Sequence, residues 1–145
     1  MNEQNKELLL KDLSARLSHG VFCVGTTYEL DDDGERYIPV KVKDTLTEIH
    51  NYKLETASVR LGLIDSCKLE TVKPYLRPMS SMTEEEKNKY LNTFKKSIIG
   101  TDEEDGRVWT VDSIDWLNAH HFDYRDLIGK GLAIEVTEEN NPYKE

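Results

Sequence analysis

VFCVGTTYELDDDGERYIPVKV, residues 21–42, is the stretch whose reading decides the fold. Val21, Phe22, Cys23 and Val24 form a β-type run, which Gly25 breaks and residues 26–30 resume, because branched and aromatic side chains suit a pleated surface. Asp31-Asp32-Asp33-Gly34 is a turn: Asp bonds its own backbone and Gly accepts positive φ. Residues 37–42 alternate weakly and make a second strand. Pro39 has no N–H to give a ladder, so this strand belongs at an edge. Residues 45–54 and 57–64 continue in the same style, with period-two features at Leu46 and Glu48 and at Val59, Leu61 and Leu63. Residues 21–72 therefore predict a small antiparallel sheet, or a partly open barrel, of four to five strands.

Helices flank this region. Residues 5–18 carry Leu9, Leu10, Leu13 and Leu17 at helical spacing, with Glu7/Lys11 and Asp12/Arg16 as i,i+4 pairs in the favoured order, acid first. His19 and Gly20 supply the stop. On the other side, residues 73–78 (KPYLRP) read as an extended connector, since each proline moves its predecessor away from helical angles. Thr83 and Glu86 form a capping box, opening a helix over residues 84–97 whose buried stripe is Tyr90, Leu91, Phe94 and Ile98. Acid leads that helix, and Lys95 and Lys96 close it, as the macrodipole prefers. Residues 107–110 suggest a short strand. Asp112 caps a helix running to about His120, with Ile114 and Leu117 facing inward. Asp123 caps a further turn of helix through Ile128, and residues 132–136 are extended. The expectation is one α+β domain over residues 1–145: helix 1–20, sheet 21–72, a helical part 73–136 with two to three helices, and a frayed tail 137–145.

Composition narrows the function classes. The 145-residue chain carries a formal net charge of −9, and the acid is concentrated at one end. Residues 101–145 hold 4 basic and 12 acidic side chains, a net of −8. Direct nucleic-acid binding is disfavoured, because affinity for phosphate rests on Lys and Arg. No run approaches a membrane span, and no export signal is present at Met1-Asn2-Glu3-Gln4, so a cytoplasmic protein with two free thiols, Cys23 and Cys67, is expected.

His120-His121-Phe122-Asp123 is the cluster with chemical potential: His120, His121 and Asp123 are the candidate catalytic or metal-binding residues. Neighbours on a helix point about 100° apart, so two adjacent His cannot easily share one metal there. The structural reading is favoured, with a His near a helix C-terminus and Asp123 as an N-cap. Asp31 does not open a calcium loop, because the sixth position is Arg36 and the twelfth Val42, where Gly and Glu are needed. No cofactor and no metal are expected. Tyr75 and Arg77 form a candidate partner-binding ridge, against the alternative that they strap helix onto sheet. Asp102, Glu103, Glu104 and Asp105 are candidate acidic contacts. There is no GxSxG, Walker loop, GxGxxG, HExxH or CxxC.

Three segments, KELLLKDLSARL (residues 6–17), KPYLRPMSSMTEEEKNKY (73–90) and DWLNAHHFDYRDLIGKGLAIE (115–135), resemble small proteins of phages and prophages of gut Bacteroidales. Residues 25–72 match least. The resemblance implies a bacterial cytoplasm and an accessory, partner-binding role, with no assigned activity. Together these readings lead to a non-catalytic protein that binds a host or phage protein through an acidic face, the partner being basic or itself nucleic-acid-binding. The alternative is a small metal-binding protein or enzyme using His120, His121 and Asp123.

Overall fold

Asn2 opens the first helix: its side chain accepts from the Asn5 N–H at 2.7 Å, and α1 follows as Glu3–Arg16. A short 3-10 turn, Leu17–His19, ends on Gly20, whose φ of 68° is the left-handed stop expected there. In the computed structural model, residues 1–51, 53–97 and 111–144 are described, with backbone only at 94–97. The strands are β1 (Phe22–Leu30), β2 (Tyr37–His50), β3 (Ser58–Leu61), β4 (Asp65–Lys68), β5 (Lys73–Pro78), β6 (Phe122–Asp123) and β7 (Ile134–Glu135). The remaining helices are α2 (Glu84–Ser97) and α3 (Val111–Ala119).

The seven strands form one open sheet in the order β4-β3-β2-β1-β5-β6, with β7 also on β5. This corrects the expectation of four to five antiparallel strands: the sheet is larger, is not a closed barrel, and is mixed. β5 pairs antiparallel with β1 at Lys73 and Pro74, but parallel with β7 at Tyr75 and Leu76 and with β6 at Arg77 and Pro78. The segment read as a connector is thus a strand of the sheet. Pro74 stands opposite Cys23, whose own backbone groups face β2, so the missing N–H forfeits no bond to β1. The helical part, residues 73–136, accordingly contains three strands among the described residues. The turn after Asp123 is held by backbone bonds such as Leu132 N–H to the Leu127 carbonyl, 2.8 Å, without becoming a third helix.

β2 changes partner along its length. Residues 37–45 pair with β1, and residues 46–50 pair with β3 after an irregularity between Leu46 and Glu48. The half containing Pro39 has β1 as its one sheet neighbour, in line with the edge position read from the sequence. Leu46 N–H donates to the Val21 carbonyl, which fixes the parity of the ladder and turns the nitrogen of Pro39 outward. Gly25 does not interrupt β1. A Cβ there would lie 2.8 Å from the Cys67 sulfur, so glycine allows β4 and Val72 to close over the strand.

The core lies between α1 and the sheet, built on Leu9, Leu13, Val21, Cys23, Leu46, Val59, Leu61, Leu69, Val72, Leu76 and Leu127, all at most 2% exposed. Fully burying one such aliphatic side chain contributes about 1.5–3 kcal/mol. A smaller cluster, Met82, Leu117 and Phe122 with Tyr90 and Trp116, joins α2 and α3 to β6. Leu17 and Leu91, read as inward-facing, are exposed instead; the Phe94 side chain and Ile98 lie outside what is described. In the tail expected to fray, residues 137–145, Tyr143 makes specific contacts. Tyr143 donates to the Tyr75 carbonyl at 2.7 Å, accepts from Phe22 N–H at 3.0 Å and stacks on His121. One aromatic with a hydroxyl can thus anchor an otherwise polar tail.

The capping box is formed as read: Glu86 N–H donates to Thr83 Oγ1 at 3.1 Å, and Thr83 N–H donates to Glu86 Oε1 at 3.0 Å. Glu86 also takes a two-pronged bond from Arg77 at 2.7 and 2.8 Å, tying α2 to β5. The Arg77 hydrogen bond, aided by Thr83 and opposed by burial, holds the Glu86 carboxyl well below its ordinary range, at about 2. A lowered folded-state value stabilises the fold above about pH 4.5 and loses that contribution as pH falls toward 2. Glu86→Gln is therefore expected to lower unfolding free energy at pH 7 by on the order of 3 kcal/mol. The difference from wild type should shrink between pH 4.5 and 2. Urea denaturation across this range measures it, and a pH-independent difference contradicts it.

Candidate functional site

Asp12 and Arg16 are one helical turn apart on α1 and both are 0% exposed. Arg16 Nε donates to Asp12 Oδ2 at 2.8 Å and Nη2 to Oδ1 at 3.1 Å. The same Nη2 reaches the Phe122 carbonyl at 2.6 Å, joining α1 to β6. Arg125 adds a second cation to Asp12 Oδ1 at 3.1 Å, and its Nη1 also donates to the Tyr124 hydroxyl at 2.8 Å. That hydroxyl donates onward to Asn118 Oδ1 on α3. The Arg16 and Arg125 guanidinium carbons lie 5.2 and 4.6 Å from the Tyr124 ring centre. Desolvated charges persist where hydrogen bonds replace water, and this network supplies them for Asp12 and for Arg16 Nε and Nη2, while the buried Arg16 Nη1 has no hydrogen-bond partner among the described residues.

The His120-His121-Asp123 cluster sits against this network, with each member engaged separately. α3 ends at Ala119. His120 stacks on Trp116 with ring centres 4.0 Å apart, and its Nδ1 lies 2.8 Å from the Trp116 carbonyl oxygen. His121 takes a left-handed backbone, φ 64°, which turns its ring away from that of its neighbour and onto Tyr143, centre to centre 3.7 Å. Its carbonyl accepts from Arg77 N–H at 2.8 Å. The two rings therefore face different partners. Burial, and then the nearby Arg16, His120, His19 and Arg77 charges, push the His121 imidazole down to about 4, so it is neutral at pH 7. Asp123 spends both oxygens on backbone N–H groups, of Leu127 and Ile128, each at 2.9 Å. This carboxylate braces the turn after β6, and the helical turn that it was expected to cap is not formed there. Among the described residues, no three His, Cys, Asp or Glu side chains are grouped to hold a metal.

The partner-binding candidates separate. Tyr75 is 5% exposed and packs on Phe22 with ring centres 5.6 Å apart, so it straps the sheet and offers no ridge to a partner. Arg77, half-buried, is held by Glu86 and lies 4.2 Å over the Phe122 ring. Asp102, Glu103, Glu104 and Asp105 lie outside the described residues, as does the strand expected over 107–110. Both thiols are buried and free; burial pushes the Cys23 thiol far up and the Cys67 thiol to about 11, so neither is a ready nucleophile. A surface hollow of about 550 Å³ beside Pro78, Met79, Tyr124 and Gly129 includes Asp123 and Asp126, but the Asp123 carboxylate is already occupied by backbone donors. No helix among the described residues is long and apolar enough to cross a membrane.

The sequence marks Asp12 and Arg16 as an i,i+4 pair with the acid first, and their burial is not read from it. The available signal was their position on the same helical face as Leu9 and Leu13. Comparison of the chain with protein-family models, curated proteins and solved structures finds no match.

Removing Arg16 leaves Asp12 buried with Arg125 as its remaining cation, so Arg16→Met is expected to cost about 3–5 kcal/mol. Adding Asp12→Leu should recover part of that loss, because a buried carboxylate is removed with it. Chemical denaturation of the single and double variants decides this; equal stabilities for Arg16→Met and wild type contradict it. For His121, a folded-state value near 4 against an ordinary 6.5 means stability that is present above pH 6.5 and falls as pH drops toward 4. An NMR titration of its ring protons should show a midpoint near 4, while a midpoint near 6.5 overturns the buried assignment.

Proposed function

We propose that the chain is a non-catalytic interaction protein, an accessory product of a phage or prophage, which engages a basic host or phage protein through acidic surface. One observation carries this reading: the side chains best suited to chemistry are spent on the fold, while exposed carboxylates remain uncommitted. His120 and His121 are stacked on aromatics and Asp123 braces a turn. By contrast Glu29, Asp32, Asp33, Glu35, Glu138 and Glu139 face solvent. Surface carboxylates in excess raise the encounter rate with a basic partner and select against acidic ones. The phage assignment rests on the resemblance of residues 6–17, 73–90 and 115–135 and implies a bacterial cytoplasm.

Capture by the tagged full chain from lysate of its bacterial host, at low and high ionic strength, tests the reading. A basic protein recovered at low salt and lost at high salt is expected, since exposed charge pairs are screened. Recovery insensitive to salt argues against an electrostatic interface. Stoichiometric metal in the purified protein, or an activity abolished by His121→Ala with the fold intact, overturns the non-catalytic assignment.

A further inference from the structure

β1 and β2 run together beyond the body of the sheet as a two-stranded arm. β1 is paired with β5 only at Cys23 and Val24, whereas its pairing with β2 continues to Leu30 and Tyr37. The ladder parity set by Leu46 and Val21 points the backbone N–H and C=O groups of Thr26, Tyr28 and Leu30 away from β2. The Thr26 N–H is met by Thr71 Oγ1 at 3.2 Å. Tyr28 and Leu30 therefore present a free strand edge among the described residues. The other edge of the arm is guarded, because Pro39 has no N–H to give and Lys41 and Lys43 flank it. β1 carries neither proline nor lysine along its free stretch.

The side chains above the open edge are apolar. Leu30 stands opposite Tyr37, and Tyr28 opposite Pro39, both as non-hydrogen-bonded pairs, in which side chains approach closely. Tyr28, Leu30 and Tyr37 are 53%, 54% and 70% exposed. Leu63 and Ile64, at the turn whose Gly62 N–H donates to Thr45, add exposed apolar surface near the base of the arm. The rim is acidic. Glu29, Asp31, Asp32, Asp33 and Glu35 surround the tip, against Arg36 alone among residues 28–37.

We infer that this arm is the docking site for an extended, basic peptide segment of another protein, which adds as a strand to the β1 edge at Tyr28 and Leu30. The inference rests on the acidic-interaction reading above and places it on one element. Main-chain bonds to an open edge give affinity, and alternate side chains give specificity. The occupant's apolar residues would cover Tyr28, Leu30 and Tyr37, and its Lys or Arg residues would pass the carboxylates at the tip. Charge complementarity selects this occupant over a second copy of the chain, since the tip of a second copy would bring five more carboxylates to the same place.

The probe is a short synthetic peptide alternating Val and Thr with Lys-Arg-Lys at one end, titrated into the full chain and followed by NMR and fluorescence anisotropy. Saturable binding is expected, with shift changes confined to residues 26–41. Leu30→Asn with Tyr37→Asn should weaken it about tenfold or more. N-methylation of alternate peptide amides, which keeps the side chains and removes the ladder bonds, should weaken it comparably. Both substitutions are at exposed positions, so an unchanged melting temperature serves as the folding control. Shift changes outside the arm, or undiminished binding by the double variant, overturn the inference. If the double variant still captures a salt-sensitive basic protein from lysate, the interaction reading stands and the arm is excluded as its site. If the double substitution instead abolishes a concentration-dependent dimer, the occupant is a second copy, and the peptide assignment falls.

Discussion

Arg16 carries a full charge where no water reaches, and the placement of both ends of the chain follows from how that charge is satisfied. Asp12 neutralises it from one helical turn away, but a carboxylate and a guanidinium removed from water need more partners than each other. The Phe122 carbonyl and Arg125 supply them from β6 and the turn beyond it. α1 is thereby fixed to the parallel edge of the sheet, and the aromatic side chains around Tyr124 cover what the hydrogen bonds leave. The neighbouring histidines inherit their environment from this arrangement. His121 is neutral because it is buried beside a guanidinium, and its left-handed backbone orients the ring toward Tyr143.

Much of the architecture was legible where a local rule determines it. Gly20 as a helix stop, the turn at Asp31 to Gly34, the capping box of Thr83 and Glu86 and the edge position of Pro39 each follow from backbone chemistry at a few adjacent residues. What was not legible depends on distant pairing. β6 and β7 are two residues each and exist as strands only because β5 lies beside them. Residues 73–78 looked like a connector since prolines weaken any strand reading, and nothing local reveals that β1 and β7 flank them. Gly25 looked like a break because its role is set by the Cys67 sulfur, 42 positions away.

The same distinction divides the candidate site. Asp123 was readable as a residue that binds backbone N–H groups just ahead of it, although the helix it was expected to open is absent. The adjacent histidines were readable as unable to share one ion, although the reason differs from the helical one: α3 stops before them, and a left-handed residue parts the rings. The burial of Asp12 and Arg16 was hidden, because an i,i+4 pair of opposite charge has the same spacing on a solvated face as in an interior. Tyr75 was ambiguous from sequence alone, since an aromatic beside prolines suits a partner surface as well as a strap. Tyr143 gave no periodic signal at all in a polar tail.

The carbonyl that completes the bonding of Arg16 lies 106 residues beyond it, and the hydroxyl that meets Phe22 belongs to residue 143. During synthesis the Asp12–Arg16 pair therefore emerges long before the carbonyl and the second guanidinium that complete its network, on a face it must later bury. Contacts so far apart in sequence are slow to form, and closure waits for residues 122–143. A chain cut short before Phe122 would therefore keep the sheet partners of its first helix but bury Asp12 and Arg16 without the Phe122 carbonyl and Arg125.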